Sequence, residues 1–165
     1  MRPLRLEDEA AFAAAHAAMA AEDFMFGLGY EPGMPWAKYL DRLAAWRVGA
    51  DLPEDFVPST FLVATVQGQI VGRSSIRHEL NEFLAREGGH IGYGVLAEHR
   101  HLGYATEILR QSLVIVRSVG VDRVLVTCDD DNAGSAAVIE RCGGAFESLT
   151  DNRDGDVPKR RYWIG

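Results

Sequence analysis

The chain has 165 residues, 47% hydrophobic and 25% charged, which suggests one globular domain with an ordinary core. Net charge is −7, from 17 basic and 24 acidic residues, which argues against nonspecific nucleic-acid binding and leaves a small cationic substrate compatible. No apolar run approaches the ~20 residues of a membrane-crossing helix, and Met1-Arg2-Pro3-Leu4 leads straight into charged residues rather than a signal-peptide core, so a cytoplasmic location is the expectation. Cys128 and Cys142 make no disulfide framework and read as buried thiols.

In chain order, the alanine-rich stretch from about Leu6 to Glu22 has high helix propensity. Gly27, Gly29, Pro32, Gly33 and Pro35 break it. A second helix is predicted from Pro35 to Val48, with Trp36, Tyr39, Leu40 and Leu43 at helical spacing. Between them, Phe24, Phe26, Tyr30 and Trp36 read either as a cap on the core or as a substrate clamp. Thr60–Gln67 and Ile70–His78 read as a hairpin turning at Gly68-Gln69. Asn81 to Arg86 reads as a short helical turn. A strand, His90–Leu96, is followed by a long helix, Gly103–Val119, stopped by Gly120. Asp122–Cys128 is a valine-rich strand and Ala133–Cys142 a helix ended by Gly143-Gly144. Ala145–Leu149 and Val157–Ile164 form the last hairpin, around a turn containing Asn152, Asp154 and Gly155. Lys159-Arg160-Arg161 reads as a charged, aggregation-blocking strand edge. The βαβα centre implies a locally parallel strand pair, and the hairpins are antiparallel, which gives a mixed sheet with helices on its faces.

The most informative stretch is Arg100-His101-Leu102-Gly103-Tyr104-Ala105. It lies between a strand and a helix, where backbone N–H groups and the positive helix end converge on one point. That arrangement suits a phosphate or pyrophosphate. No Lys-Ser/Thr pair follows the glycine, which disfavours a nucleotide-binding P-loop.

With Val95 before it, this turn resembles the Arg/Gln-x-x-Gly-x-Gly/Ala signature of the GNAT superfamily, the Gcn5-related N-acetyltransferases. Val124–Cys128 leading to Asn132-Ala133-Gly134-Ser135, then Gly143-Gly144-Ala145-Phe146, extends the likeness. The block from Gly89 to Tyr93, with Arg77-His78 upstream, is similar to a bacterial subgroup of that family. The resemblance implies an α/β (α+β) fold: a mixed, mostly antiparallel sheet with a central parallel strand pair that splays apart, flanked by helices, across residues 1–165 as one domain. It implies acetyl-CoA as co-substrate and transfer of its acetyl group to a primary amine of a small molecule or peptide by direct attack. It also leaves a non-catalytic acyl-CoA-binding module as the alternative.

On that reading, the backbone of His101, Leu102, Gly103, Tyr104, Ala105 and Thr106 holds the pyrophosphate, and Arg100 shapes the loop or contacts phosphate. The pantetheine arm enters between the splayed strands as a pseudo-strand on Val95, and Asn132 both caps its helix and meets the arm, with Ser135 beside it. Gly92 and Gly94 suit a bulge, a close backbone approach or plain packing. An N–H of Val95 or Leu96 would face the oxyanion. His90 stands where relatives carry a basic carboxylate, with Glu79, His78, Asn81 and Tyr93 as further candidates. Relatives carry a general-acid tyrosine seven residues after the asparagine, but Ile139 occupies that position here; Tyr162 is the substitute candidate. The run Asp129-Asp130-Asp131 is not expected to hold a metal, because consecutive carboxylates at a strand end rarely converge on one ion. A homodimer is compatible with open strand edges.

Overall fold

The computed structural model describes residues 1–150 and 157–165. The predicted turn at Asn152, Asp154 and Gly155 lies outside the described residues. A 3₁₀ turn, Leu6–Asp8, opens helix α1 (Glu9–Ala20), and α2 follows at Trp36–Arg47. Strands β1 (Ser59–Val66), β2 (Gln69–Arg77) and β3 (Ile91–Val95) form one antiparallel sheet in that order. Helix α3 (Tyr104–Ser118) leads to β4 (Val124–Asp129), and α4 (Ala133–Arg141) to β5 (Ala145–Leu149) and β6 (Lys159–Ile164). The second sheet runs β4-β6-β5 and is also antiparallel.

Alternation decides what each face carries. Leu62, Ser74 and Ile76 point to one face of the first sheet, where α3 buries Leu109, Leu113 and Val116 against the core. Phe61 and Val63 point to the other face, beneath α1 and α2. There Phe12, Phe26, Tyr30, Trp36, Tyr39 and Phe61 form one aromatic cluster, with Phe26 and Tyr39 fully buried. Phe26, Tyr30 and Trp36 therefore cap the core; Phe24 packs against the same core, partly buried.

Two expectations change and one is extended. Lys159-Arg160-Arg161 lies on β6, the middle strand of its sheet, not an edge. Its charges meet carboxylates: Lys159 pairs with Asp129, Arg160 with Asp130 at 2.7 Å and Arg161 with Glu147 at 2.7 Å. The Asp129-Asp130 carboxylates thus serve the sheet. The helical turn expected over Asn81–Arg86 is present and runs on to Gly88, with π-helical bonding over Leu84–Gly88 and Asn81 Oδ1 accepting the Leu84 N–H at 2.9 Å. Finally, β2 and β3 pair without a register shift, so Gly92 and Gly94 make no bulge. Among the described residues, no helix is long and apolar enough to cross a membrane.

Candidate active site

β3 and β4 touch only where they begin. The His90 N–H donates to Leu125 O at 2.7 Å, and the Leu125 N–H donates to His90 Nδ1 at 2.9 Å. A side-chain nitrogen thus stands in for a missing backbone acceptor. A Cβ on Gly89 would lie 2.7 Å from Leu125 O, so only glycine allows this approach. Beyond this junction the two strands share no ladder among the described residues, and each ends at a helix N-terminus. The Tyr93 hydroxyl bridges the far side, 3.1 Å from Ser135 Oγ in the first turn of α4. The two sheets are hinged at His90 and open towards α3 and α4, as a splayed parallel pair.

Hydrogen-bond alternation identifies what faces the opening. His90 O accepts from the Arg77 N–H, and the Leu96 N–H donates to Val71 O. Even-numbered residues of β3 therefore bond β2, and Ile91, Tyr93 and Val95 turn their backbone groups towards β4. On the other wall the Asp130 N–H donates to Pro158 O, so Val124, Val126 and Cys128 bond β6 while Leu125 and Thr127 face β3. Leu125 is used at the hinge; Thr127 faces the gap. Tyr93 and Val95 on one wall and Thr127 on the other thus turn backbone groups towards the gap. The Leu96 N–H, committed to Val71 O, is corrected out of the oxyanion donors.

The mouth of the gap is the Arg100–Thr106 turn. His101 has φ 62° and Gly103 φ 83°, a left-handed pair that curls successive N–H groups inward. Among the described residues, no N–H from His101 to Thr106 has an intramolecular acceptor. Six donors at the start of a 15-residue helix make an anion seat. Nothing lies within 4 Å of a Cβ placed on Gly103, so the seat is open. Arg100 braces it from outside: Nε donates to Val95 O at 3.1 Å, and Nη2 pairs with Glu22 Oε2 at 2.6 Å. Asn132 caps α4, Oδ1 accepting the Ser135 N–H at 2.9 Å, which leaves its exposed amide NH2 free to donate.

The three acid–base candidates lie in different settings. His90 is 6% exposed, and burial, with Arg77 nearby, pushes its pKa down. Because Nδ1 accepts the Leu125 N–H, the neutral ring carries its hydrogen on Nε2 and can donate there but not accept. Tyr162 is fully buried, with its hydroxyl on Glu140 Oε1 at 3.1 Å. Tyr162 pairs with Val126 of β4, and its hydroxyl is held by Glu140 near the C-terminal end of α4. Glu79 is exposed just beyond β2, and among the described residues its carboxylate has no hydrogen-bond or ion-pair partner. Ile139 is fully buried in the core, packed against Gly144. Sequence reasoning passed over Arg73 and Ser75, two buried polar residues of β2. The available signal was Arg73, Ser75 and Arg77 in phase on one face of a strand.

Residues 1–145 match the family model of the acetyltransferase (GNAT) domain. No curated relative matches the sequence. Among solved structures, Mycobacterium smegmatis RimJ in complex with CoA-disulfide is 24% identical with a TM-score of 0.70, covering 99% of this chain and 79% of that one. The Salmonella typhimurium protein yncA, with its cofactor acetyl-CoA, is 13% identical with a TM-score of 0.66, covering 99% and 91%. The GNAT domain of S. lividans PAT is 17% identical with a TM-score of 0.64, covering 99% and 88%. At these identities the structural likeness carries the fold alone.

Proposed function

The chain belongs to the GNAT acetyltransferase family, and on that premise we propose that it transfers the acetyl group of acetyl-CoA to a primary amine by direct attack. The observation that carries this reading is the continuous path from an open anion seat to a backbone-lined gap. The pyrophosphate fits the N–H groups of residues 101–106, which have no acceptor of their own. The pantetheine arm pairs with β3 through Val95 and with the amide of Asn132, beside Ser135. Arg100 holds the seat in shape through Val95 O and Glu22.

In the transfer, the amine nitrogen bonds to the thioester carbonyl carbon and the oxygen takes negative charge. With the Val95 N–H taken by the arm, the outward-facing N–H of Tyr93 supplies the donor for that charge. The C–S bond then breaks and CoA leaves as a thiolate, which solvent protonates; an ordinary thiol pKa near ~8.5 needs no dedicated acid. The amine must lose one proton. Glu79 takes it through water, because its carboxylate, unlike the His90 ring and the Tyr162 hydroxyl, is not tied up in the fold. His90 acts instead as the pin of the hinge.

The test is release of free thiol from acetyl-CoA with a panel of amines. Amine-dependent release above hydrolysis is expected, and Glu79→Gln should lower kcat at least ten-fold. Thiol release that no amine accelerates would leave a binding module in place of an enzyme.

A further inference from the structure

One buried cluster plays no part in holding the cofactor. Arg73, Ser75 and Arg77 project from β2 onto the face opposite α3, in phase with Phe61 and Val63 of β1. Arg73 is 9% exposed and Ser75 2%. Arg73 donates to Gly92 O and to Met25 O, each at 2.8 Å, and its guanidinium carbon sits 4.5 Å from the Phe24 ring centroid. Arg77 donates to Gly88 O at 3.0 Å and to Gly89 O at 3.4 Å. Among the described residues, neither arginine has a carboxylate within ion-pair distance.

Two atoms here are orphaned. Arg73 Nε and Ser75 Oγ are, among the described residues, the buried side-chain polar atoms without a hydrogen-bond partner. They lie two residues apart on the same face of one strand. A buried arginine beside a partly buried one, with no counter-ion, is costly, because desolvation is not offset and the charges repel. Burial, with Arg77 adding to it, brings Arg73 down to about 9, and burial brings Arg77 to about 10. The stacked Phe24 offsets only part of this. An anion would supply acceptors for both orphaned atoms and one of the two missing negative charges.

The cluster also lies beside the gap. β3 pairs with β2 and lines the opening, and on the arginine face it carries Gly92 and Gly94. A Cβ on Gly92 would lie 3.1 Å from Arg77 Nη1, and one on Gly94 2.7 Å from the Phe24 ring. The glycines thus leave that face to the arginines and the ring. β3 alone lies between the cluster on β2 and the opening.

We propose that Arg73, Ser75 and Arg77 bind a carboxylate of the acceptor, and that the acetylated amine belongs to a small amino acid rather than to a protein N-terminus. The carboxylate accepts from Arg73 Nε and Ser75 Oγ, and its single charge offsets that of Arg73 and eases its repulsion with Arg77. This rests on the acetyl-transfer reading.

The test uses matched pairs, each common amino acid against its carboxamide, with thiol release from acetyl-CoA as readout. The acid of the best pair should exceed its amide at least ten-fold in kcat/KM. Ser75→Ala, which removes an unpartnered hydroxyl and should not lower Tm, should shrink that ratio several-fold; Arg73→Met should bring it near unity. Equal rates for acid and amide in the unmodified protein would overturn the carboxylate site and leave acetyl transfer standing. If no amine of either kind accelerates thiol release, acetyl transfer falls, and calorimetric titration of the CoA-loaded protein with the same pairs decides the site. Binding of acids but not amides, weakened by Ser75→Ala, supports it; no such difference removes it.

Discussion

Replacing Gly103 with aspartate puts a negative charge at the centre of the anion seat. The backbone there has φ 83°, so any side chain adds strain; asparagine and aspartate tolerate this region better than other residues. A Cβ meets nothing within 4 Å, so both variants should fold. Comparing Gly103→Asp with Gly103→Asn cancels strain and size and leaves charge. One pair of like charges at ~4 Å costs about 1 kcal/mol in water and about 4 kcal/mol at an effective dielectric of ~20. The turn is exposed, so the two pyrophosphate charges together should cost about 2–3 kcal/mol, or roughly 30–150-fold in Kd. The same carboxylate should stabilise the unliganded protein by about 0.3–1 kcal/mol, because it sits at the positive end of α3. Calorimetric titration with CoA measures the first effect and thermal unfolding the second. Raising the ionic strength to ~1 M shortens the screening length to ~3 Å and should narrow the affinity gap. Equal CoA affinity in the two folded variants would refute the seat at residues 101–106.

Tyr162→Phe loses the bond to Glu140 and should cost about 1 kcal/mol, or roughly 2–4 °C in Tm, with turnover within two-fold of the parent. A ten-fold loss of kcat in a folded variant would return Tyr162 to the mechanism. Burial holds His16, His78 and His90 below their ordinary pKa. The unfolded chain therefore binds more protons than the folded one as pH falls through the unfolded value of ~6.5. Their contribution to stability should be full above about pH 7 and lost progressively below ~6.5. Urea unfolding at several pH values checks the sign, and His90→Gln should flatten the slope. Stability that rises as pH falls across that window would refute the assignment.

The seat was legible in the sequence because it is local: strand, turn and helix are contiguous, and Gly103 marks a left-handed position. The gap was legible only through resemblance, since β3 and β4 are separated by all of α3. What keeps them apart is a non-local fact, the hinge where the His90 ring replaces a backbone acceptor for Leu125. A histidine beside two glycines reads equally well as a base or as a pin, and only its partner decides. The same limit explains Lys159-Arg160-Arg161. A basic run reads as an exposed edge until Asp129, Asp130 and Glu147 are seen to meet it on the neighbouring strands. Arg73 is the converse case: its place in phase with Arg77 was visible, but that it lacks a carboxylate partner among the described residues emerges only when the chain is folded. A buried charge carries functional meaning through the partner it lacks, and sequence order does not record partners.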